Sequence, residues 1–268
     1  FFNKAMKIIT KILCSVLCMA IPFISTYAQE DPGEVMLSNG LGFLDIPYVA
    51  HTLDGEVKED LVVNCDEMDC TTFVEYTLAM SLWPTEDGQV AEGDFANNVQ
   101  RIRYRNGRID GYASRLHYIT DWAENGVRNG FLEDITEKKS PYTQKVTVNY
   151  MSTHPEQYWK LADSPEDMRK IKKIEKELSK KEIHYIPEDK LPVNGLPWIK
   201  NGDIIAITTN IPGLDIAHMG IAFYVDGKLS LLHASSTAKK VTVSRIALSQ
   251  MLKNNDKWTG IRVLRMKK

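Results

Sequence analysis

Few residues in this 268-residue chain could do covalent chemistry, and three of them form a pattern: Cys70, His218 and His233. A thiol acts as a nucleophile when a base takes its proton, and that base needs a third group to fix its tautomer. Cys70 sits in Glu67-Met68-Asp69-Cys70-Thr71-Thr72-Phe73-Val74-Glu75-Tyr76. Downstream, Phe73, Val74, Thr77, Leu78 and Leu82 recur at spacings of one, three and four, which predicts a core-facing helix from Thr71 to about Trp83. Asp69, Thr71 and Thr72 are the types that satisfy free N–H groups in a first helical turn. A thiol there feels the positive end of the helix dipole, which favours the thiolate. The competing reading of Cys70 is a small buried hydrophobe.

The base and its orienter come from a predicted hairpin. The runs His218 to Val225 and Leu229 to Ala234 flank Asp226-Gly227, a strong two-residue turn signal. Positions near His218 and His233 then lie roughly opposite, so two adjacent strands present both imidazoles to one place. A helix carrying the thiol and a strand carrying the base is the papain-like solution. His51, His117, His154 and His184 read as structural, with some reserve for His117. The chain has no G-x-S-x-G, no H-E-x-x-H, no phosphate loop and no G-x-G-x-x-G. Cys65, Cys70, His218 and His233 could bind zinc in principle, but four residues separate the cysteines, wider than a C-x₂-C knuckle. No metal and no cofactor are expected.

The surrounding elements read as an α+β domain. Helix patterns cover Glu34 to Leu44 in part, Phe95 to Tyr104, and Tyr112 to about Asn125-Gly126. Ser164-Pro165 starts another that runs to about Lys181. Lys138 to Val148 reads as strand or loop, and a polar break follows Trp83-Pro84 through Gly88. From Trp198 onward short strands dominate: Asp203 to Thr208, the two hairpin runs, and Gly260 to Leu264. No repeat or linker divides the chain. Residues 29–268 are therefore expected to form one domain after an export signal at 1–28, in which Lys7 and Lys11 precede the apolar run Ile12 to Ile24, with Ala28 at the cleavage point. The formal charge of −2 becomes about −5 without Lys4, Lys7 and Lys11, which disfavours a nucleic-acid partner. No membrane span is expected after signal cleavage. Removing Cys14 and Cys18 leaves Cys65 and Cys70, and a permanent bridge between them would silence the nucleophile.

Five ordered blocks carry a family resemblance: Pro47-Tyr48-Val49, Asp69-Cys70-Thr71-Thr72-Phe73-Val74, Gly202-Asp203-Ile204-Ile205, His218-Met219-Gly220-Ile221-Ala222 and His233-Ala234-Ser235. Together they resemble the NlpC-type papain-like cell-wall hydrolases. That resemblance implies a nucleophile helix packed on an antiparallel sheet with extra helices. It also implies Cys70 as nucleophile, His218 as base, His233 as its orienter, and Tyr48, Asp69 and Thr71 around the substrate. Thr71-Thr72 replaces the family's usual Ser-Gly. That variant, with Ser114-Arg115-Leu116-His117-Tyr118 and Asp121-Trp122, looks like the AmiA-like branch. The branch resemblance implies an N-acetylmuramoyl-L-alanine amidase that cuts the lactyl–alanine amide of GlcNAc-1,6-anhydro-MurNAc-peptides. Arg115, His117 and Trp122 are expected to contact the sugar or stem. The alternatives are a D-Glu-diaminopimelate endopeptidase on the same fold, or a non-catalytic wall-binding protein. An exported, periplasmic monomer acting on peptidoglycan fragments is the expected setting.

Overall fold

The computed structural model describes residues 31–55, 58–82 and 92–267. The expected export signal and the polar break from Pro84 to Gly88 lie outside these described residues. In chain order the elements are α1 (Pro32–Leu41), α2 (Cys70–Leu82), α3 (Glu92–Arg103), α4 (Ile119–Arg128), β1 (Leu132–Asp134), α5 (Ile135–Lys139) and β2 (Thr143–Lys145). There follow α6 (Tyr150–Thr153), α7 (Trp159–Ala162), α8 (Pro165–Leu178), β3 (Glu182–His184), β4 (Ile186–Pro187) and β5 (Ile204–Thr209). The chain ends with β6 (Ile216–Val225), β7 (Lys228–Ser235), β8 (Lys240–Val243), α9 (Leu248–Lys253) and β9 (Trp258–Met266). The architecture is α+β.

One antiparallel sheet runs β1-β9-β5-β6-β7-β8, with β4 also on β9, and β2 pairs β3 separately. The expected hairpin is present: Asp226 and Gly227 both take positive φ, 50° and 73°, the backbone a tight I′ turn requires. Strand alternation gives the sheet two apolar faces. Ile204, Ala206, Met219, Ile221, Leu232 and Ala234 pack with Met36, Phe73, Val74, Leu78 and Trp122 from α1, α2 and α4. Ile205, Ile207, Ala222, Leu231, Ile261 and Val263 pack with Leu248 and Leu252 from α9 and with Ile186, Leu191 and Ile199. A third cluster joins Ile171 and Leu178 of α8 to Tyr112, Tyr118, Val146 and Val148. Within the segment 138–200, Val146 to Ile183 thus pack on the turn that precedes α4, while Ile186, Leu191 and Ile199 join the second face of the sheet.

Helix α2 has no free face. Thr72 through Ala79 are all buried, as expected of a helix running through a core. Each large apolar side chain there contributes roughly 1.5–3 kcal/mol, which fixes the helix's position. Its polar residues are satisfied internally: Thr77 Oγ1 donates to Phe73 O at 2.8 Å and Ser81 Oγ to Thr77 O at 2.7 Å. Glu75, buried, accepts from Arg103 Nε of α3 at 2.7 Å. Burial pushes the Glu75 carboxyl up, while the Arg103 guanidinium pulls it back.

The helix expected from Tyr112 instead begins at Ile119. Residues Tyr112–Ser114 form a single 3₁₀ turn, Arg115 is extended and bridges Tyr104, and helical geometry resumes after Tyr118. Arg115 is drawn out of helical geometry by Glu59, whose two carboxylate oxygens its Nε and Nη2 reach at 2.8 Å. α5, which has no counterpart in the sequence reading and overlaps the Lys138 to Val148 strand-or-loop stretch only at its last two residues, is capped by Asp134, whose Oδ1 accepts from Glu137 N at 2.9 Å.

The Glu75–Arg103 pair sets a stability prediction. Glu75→Ala strands a buried guanidinium and is expected to cost about 3–5 kcal/mol, whereas Glu75→Ala with Arg103→Met recovers most of that loss. Urea denaturation of the three proteins measures both.

Candidate active site

The site is assembled at the N-terminus of α2. Asp69 Oδ1 accepts from Thr71 N at 3.0 Å, Thr72 N at 2.8 Å and Thr72 Oγ1 at 3.0 Å, while Thr72 Oγ1 accepts from Asp69 N at 2.9 Å. This reciprocal cap, with Thr72 in the place usual for Glu or Gln, makes Cys70 the first helical residue. Ahead of it, the Pro47-Tyr48-Val49 strip is laced to the cap's approach. Met68 N donates to Pro47 O and Val49 N to Met68 O, both at 3.1 Å. The strip's other edge meets β8, with Tyr48 N donating to Lys239 O at 2.9 Å. Tyr48 thereby lies close enough to Cys70 and Asp69 for their charges to raise its phenol pKa, after burial.

The histidines come from β6 and β7, where the two strands part. The β6–β7 ladder runs from Val225↔Lys228 to Ile221↔Leu232 and ends there, although β6 continues back to Ile216 and β7 on to Ser235. His218 keeps its pairing to Ile207 of β5, and His233 its pairing to Thr242 of β8. Across the opening, His218 Nε2 and His233 Nδ1 are 2.7 Å apart, with the rings nearly perpendicular at 85°. The Cys70 sulfur lies near enough to the Met219 N–H and the Thr71 hydroxyl for both to lower its pKa. It is therefore close to the backbone of the residue next to His218. Cys65 and Cys70 are both free thiols.

Gly220 makes the close approach of the strands possible. A Cβ there would sit 2.8 Å from Leu232 O and from Cγ and Cδ1 of Leu231, so any side chain forces β7 outward.

The electrostatics are governed by burial. The Cys70 thiol is pushed up to about 12, first by burial and then by Asp69, against the lowering effect of its hydrogen bonds. The thiolate expected from the helix dipole alone is therefore not the resting form. Burial, and then the neighbouring His233, lower His218 to about 3, while burial alone lowers His233 to about 4. Sulfur and both rings rest neutral near pH 7.

The remaining sequence-predicted contacts divide differently. Tyr48, Asp69 and Thr71 surround the sulfur, although Asp69 Oδ1 is occupied by its own helix. Arg115, His117 and Trp122, expected to contact the sugar or stem, are instead engaged with partners inside this chain, Arg115 and Trp122 buried and His117 half-buried. Arg115 spends its donors on Glu59, on Asp54 Oδ1 at 3.1 Å and on Leu53 O at 3.2 Å. Glu59 also takes Lys160 Nζ at 3.2 Å and Tyr104 Oη at 2.8 Å. His117 is bonded through Nε2 to Tyr112 O at 3.0 Å, and burial lowers it to about 3. Trp122 is 1% exposed in the main core. Their chemistry suited a ligand, but their partners are internal. Two residues with a place in the site went unread. Gly220 had a signal, since a glycine inside a strand pattern marks close backbone approach. Trp258, which stacks on His218 at 5.8 Å between ring centroids, lies far along the chain and had none.

A family model described as AmiA-like, N-acetylmuramoyl-L-alanine amidase-like, matches residues 38–261. Among solved structures, an N-acetylmuramoyl-L-alanine amidase from Bacteroides uniformis ATCC 8492 is 65% identical, covering 88% of this chain and 99% of its own, with a TM-score of 0.86. A Bacteroides fragilis protein provisionally described as a xylanase is 64% identical over 86% of this chain and 100% of its own, with a TM-score of 0.83. A Legionella pneumophila protein shares the fold at 21% identity, over 88% of this chain and 89% of its own, with a TM-score of 0.67. No curated protein sequence matches the chain.

Two measurements follow. Gly220→Ala is expected to lower turnover by about tenfold or more through the displaced imidazole pair, with global unfolding changed far less; steady-state kinetics beside thermal denaturation separate the two. Folded His117, His218 and His233 lie at about 3, 3 and 4, against 6.5 for an unperturbed histidine. The unfolded chain therefore binds protons first. Stability is complete above pH 6.5 and falls as the pH drops toward 4, by up to about 1.4 kcal/mol per pH unit for each histidine. His117→Gln should flatten that slope between pH 6.5 and 5, read by urea denaturation.

Proposed function

The chain belongs to the AmiA-like, N-acetylmuramoyl-L-alanine amidase-like family, and from that premise we propose that it is a cysteine-dependent amidase of muropeptides. The hydrolase class and an amidase-like function rest on the family. The finer reading rests on one observation: His218 Nε2 is engaged by the His233 imidazole at 2.7 Å, one residue from the Met219 N–H that lowers the Cys70 pKa.

That hydrogen bond has a required polarity if His218 is the base. His218 Nε2–H donates and His233 Nδ1 accepts, which leaves the lone pair of His218 Nδ1 free. Nδ1 is the ring nitrogen nearer its own backbone, and the proposed mechanism assigns it the sulfur's proton. The Cys70 S–H gives its proton to Nδ1 as the sulfur adds to the lactyl carbonyl. The oxyanion forms at the start of α2, where the Cys70 N–H is a donor and Tyr48 lies near. The His218 imidazolium, stabilised through Nε2–H by His233, then protonates the departing alanine amine as the C–N bond breaks. Water enters, loses a proton to Nδ1 and adds to the thioester; its collapse returns the thiol and frees the carboxylate. In the NlpC-type papain-like relatives resembled in sequence, the same three residue types perform this role.

The substrate proposed is a peptidoglycan fragment of the GlcNAc-1,6-anhydro-MurNAc-peptide kind, and the export segment read at residues 1–28 supports action outside the cytoplasmic membrane. A glycosidase reading, prompted by the name of the B. fragilis relative, asks for two carboxylates flanking a glycosidic bond. The carboxylate beside Cys70, Asp69, is instead engaged through Oδ1 as a helix cap.

Incubating the protein with anhydro-muropeptide and weighing the products by mass spectrometry tests the proposal. Free disaccharide with an intact stem peptide is expected, and Cys70→Ala should reduce its formation by about a thousandfold or more. A shortened glycopeptide would replace the amidase with the endopeptidase, and full activity of Cys70→Ala would remove the cysteine mechanism.

A further inference from the structure

A hydrogen bond at Nε2 leaves an imidazole free to tilt about the line joining Cβ to that nitrogen, and tilt carries Nδ1 away from the sulfur. The ring of Trp258 lies over His218 with centroids 5.8 Å apart and planes inclined by only 6°, an offset stack at contact distance. His233 holds the same ring edge-on at 85°. The two contacts are orthogonal, and together they remove both the swing and the tilt.

The chain places Trp258 there by a local irregularity. On β5, Ile207 pairs with both His218 and Ile261, so a regular ladder would carry Trp258 past the histidine. The β5–β9 register instead shifts between Thr208 and Thr209, pairing Gly260 with Thr208 and Trp258 with Thr209. The β5–β6 register also shifts, between Ile207 and Thr208. Bulges re-aim side chains and are frequent beside active sites. This one is clamped: Thr208 and Thr259 share a hydroxyl hydrogen bond at 2.8 Å, Thr209 Oγ1 donates to Lys257 O at 2.7 Å, and Asn210 Nδ2 donates to Asp256 O at 2.9 Å.

The geometry points to Trp258 as the positioning residue of the proposed reaction: its indole fixes the plane of the His218 imidazole and keeps water from that face. The inference rests on His218 being the base for Cys70, as proposed above. The titratable group set against His218 is His233 from β7, while Asp69 and Tyr48 lie near Cys70 of α2. The pairing neighbour on β5 is Ile207, and β9 brings the indole. With the indole removed, water can solvate the imidazolium, so the free base should take up its proton at higher pH.

The test is kcat and KM against pH for wild type, Trp258→Ala, Trp258→Phe and Cys70→Ala, on the anhydro-muropeptide substrate. For Trp258→Ala the expected result is a kcat lower by about tenfold with KM within about threefold. The acid limb of kcat/KM should also move up by about one pH unit. Trp258→Phe, which restores an aromatic face, should recover most of both. Histidine titration by NMR on the same variants should show the upward movement without any dependence on turnover. An unmoved acid limb and unmoved titration in a folded, Cys70-dependent Trp258→Ala enzyme would overturn the inference while leaving the cysteine mechanism standing. Full activity of Cys70→Ala would remove that mechanism instead. Loss of activity at every pH, with no shift of either titration and no recovery in Trp258→Phe, would assign Trp258 a merely structural role.

Discussion

Two neutral imidazoles sharing one hydrogen bond across a parted pair of strands is the constraint on which the site depends. The bond needs β7 to stay within reach of β6 after their ladder has ended, and it tolerates little displacement. Gly220 permits the approach, and one strip of backbone secures it from outside. Residues 45–49 are tied to β8 through Asp45 N to Val241 O, Val241 N to Ile46 O and Tyr48 N to Lys239 O. The same strip is tied through Met68 to the entrance of α2. The strand carrying His233 and the helix carrying Cys70 are thus held by a shared staple. This gives a physical reason for a Pro-Tyr-Val element far from the residues it serves.

Burial decides the protonation states against the helix dipole. A first-turn thiol gains from nearby N–H groups, but loss of water acts on the whole charge, and Asp69 adds a like charge nearby. Burial raises Cys70 to about 12 and lowers His218 to about 3, the order that favours the neutral pair at rest. In the proposed mechanism the proton then stays on sulfur until a carbonyl is present to accept the developing negative charge, and it moves during attack, as with hydroxyl nucleophiles.

The parts of this arrangement legible in the sequence are those written in local chemistry. Capping residues, apolar periodicity and Asp226-Gly227 specify α2 and the β6–β7 hairpin within a few residues of each signal. Ser164-Pro165 specifies α8 in the same way, and Ser164 Oγ indeed accepts from Asp167 N at 3.2 Å. What stayed hidden depends on partners distant in the chain. Arg115 looks alike from sequence whether it meets a carboxylate ligand or Glu59, 56 residues away. Trp122 looks alike as a sugar platform or as core. The helix assigned from Tyr112 failed for the same reason: its apolar spacing was adequate, but a buried ion pair imposed extended backbone at Arg115. Trp258 required two ladder irregularities that no residue pattern announces.

The Thr71-Thr72 departure from Ser-Gly bears on which amide the site suits. Thr72 returns a hydroxyl to the Asp69 N–H and adds a third donor to Asp69 Oδ1, so this carboxylate is turned toward its own helix. In the endopeptidase relatives that the sequence resembles, the matching Asp and Ser help to hold the free amine of L-alanine, and such an amine asks for acceptors facing the cleft. An alanine still joined to the lactyl group has no ammonium; its nitrogen is a neutral amide with a single donor. A cap that draws Asp69 Oδ1 inward costs little toward that substrate and a good deal toward a free stem peptide. The same Thr71 lies near enough for its hydroxyl to lower the Cys70 pKa, which in the proposed mechanism supports the thiolate during attack. Under the proposed function the substitution moves polar capacity from binding an amine to the surroundings of the proposed nucleophile.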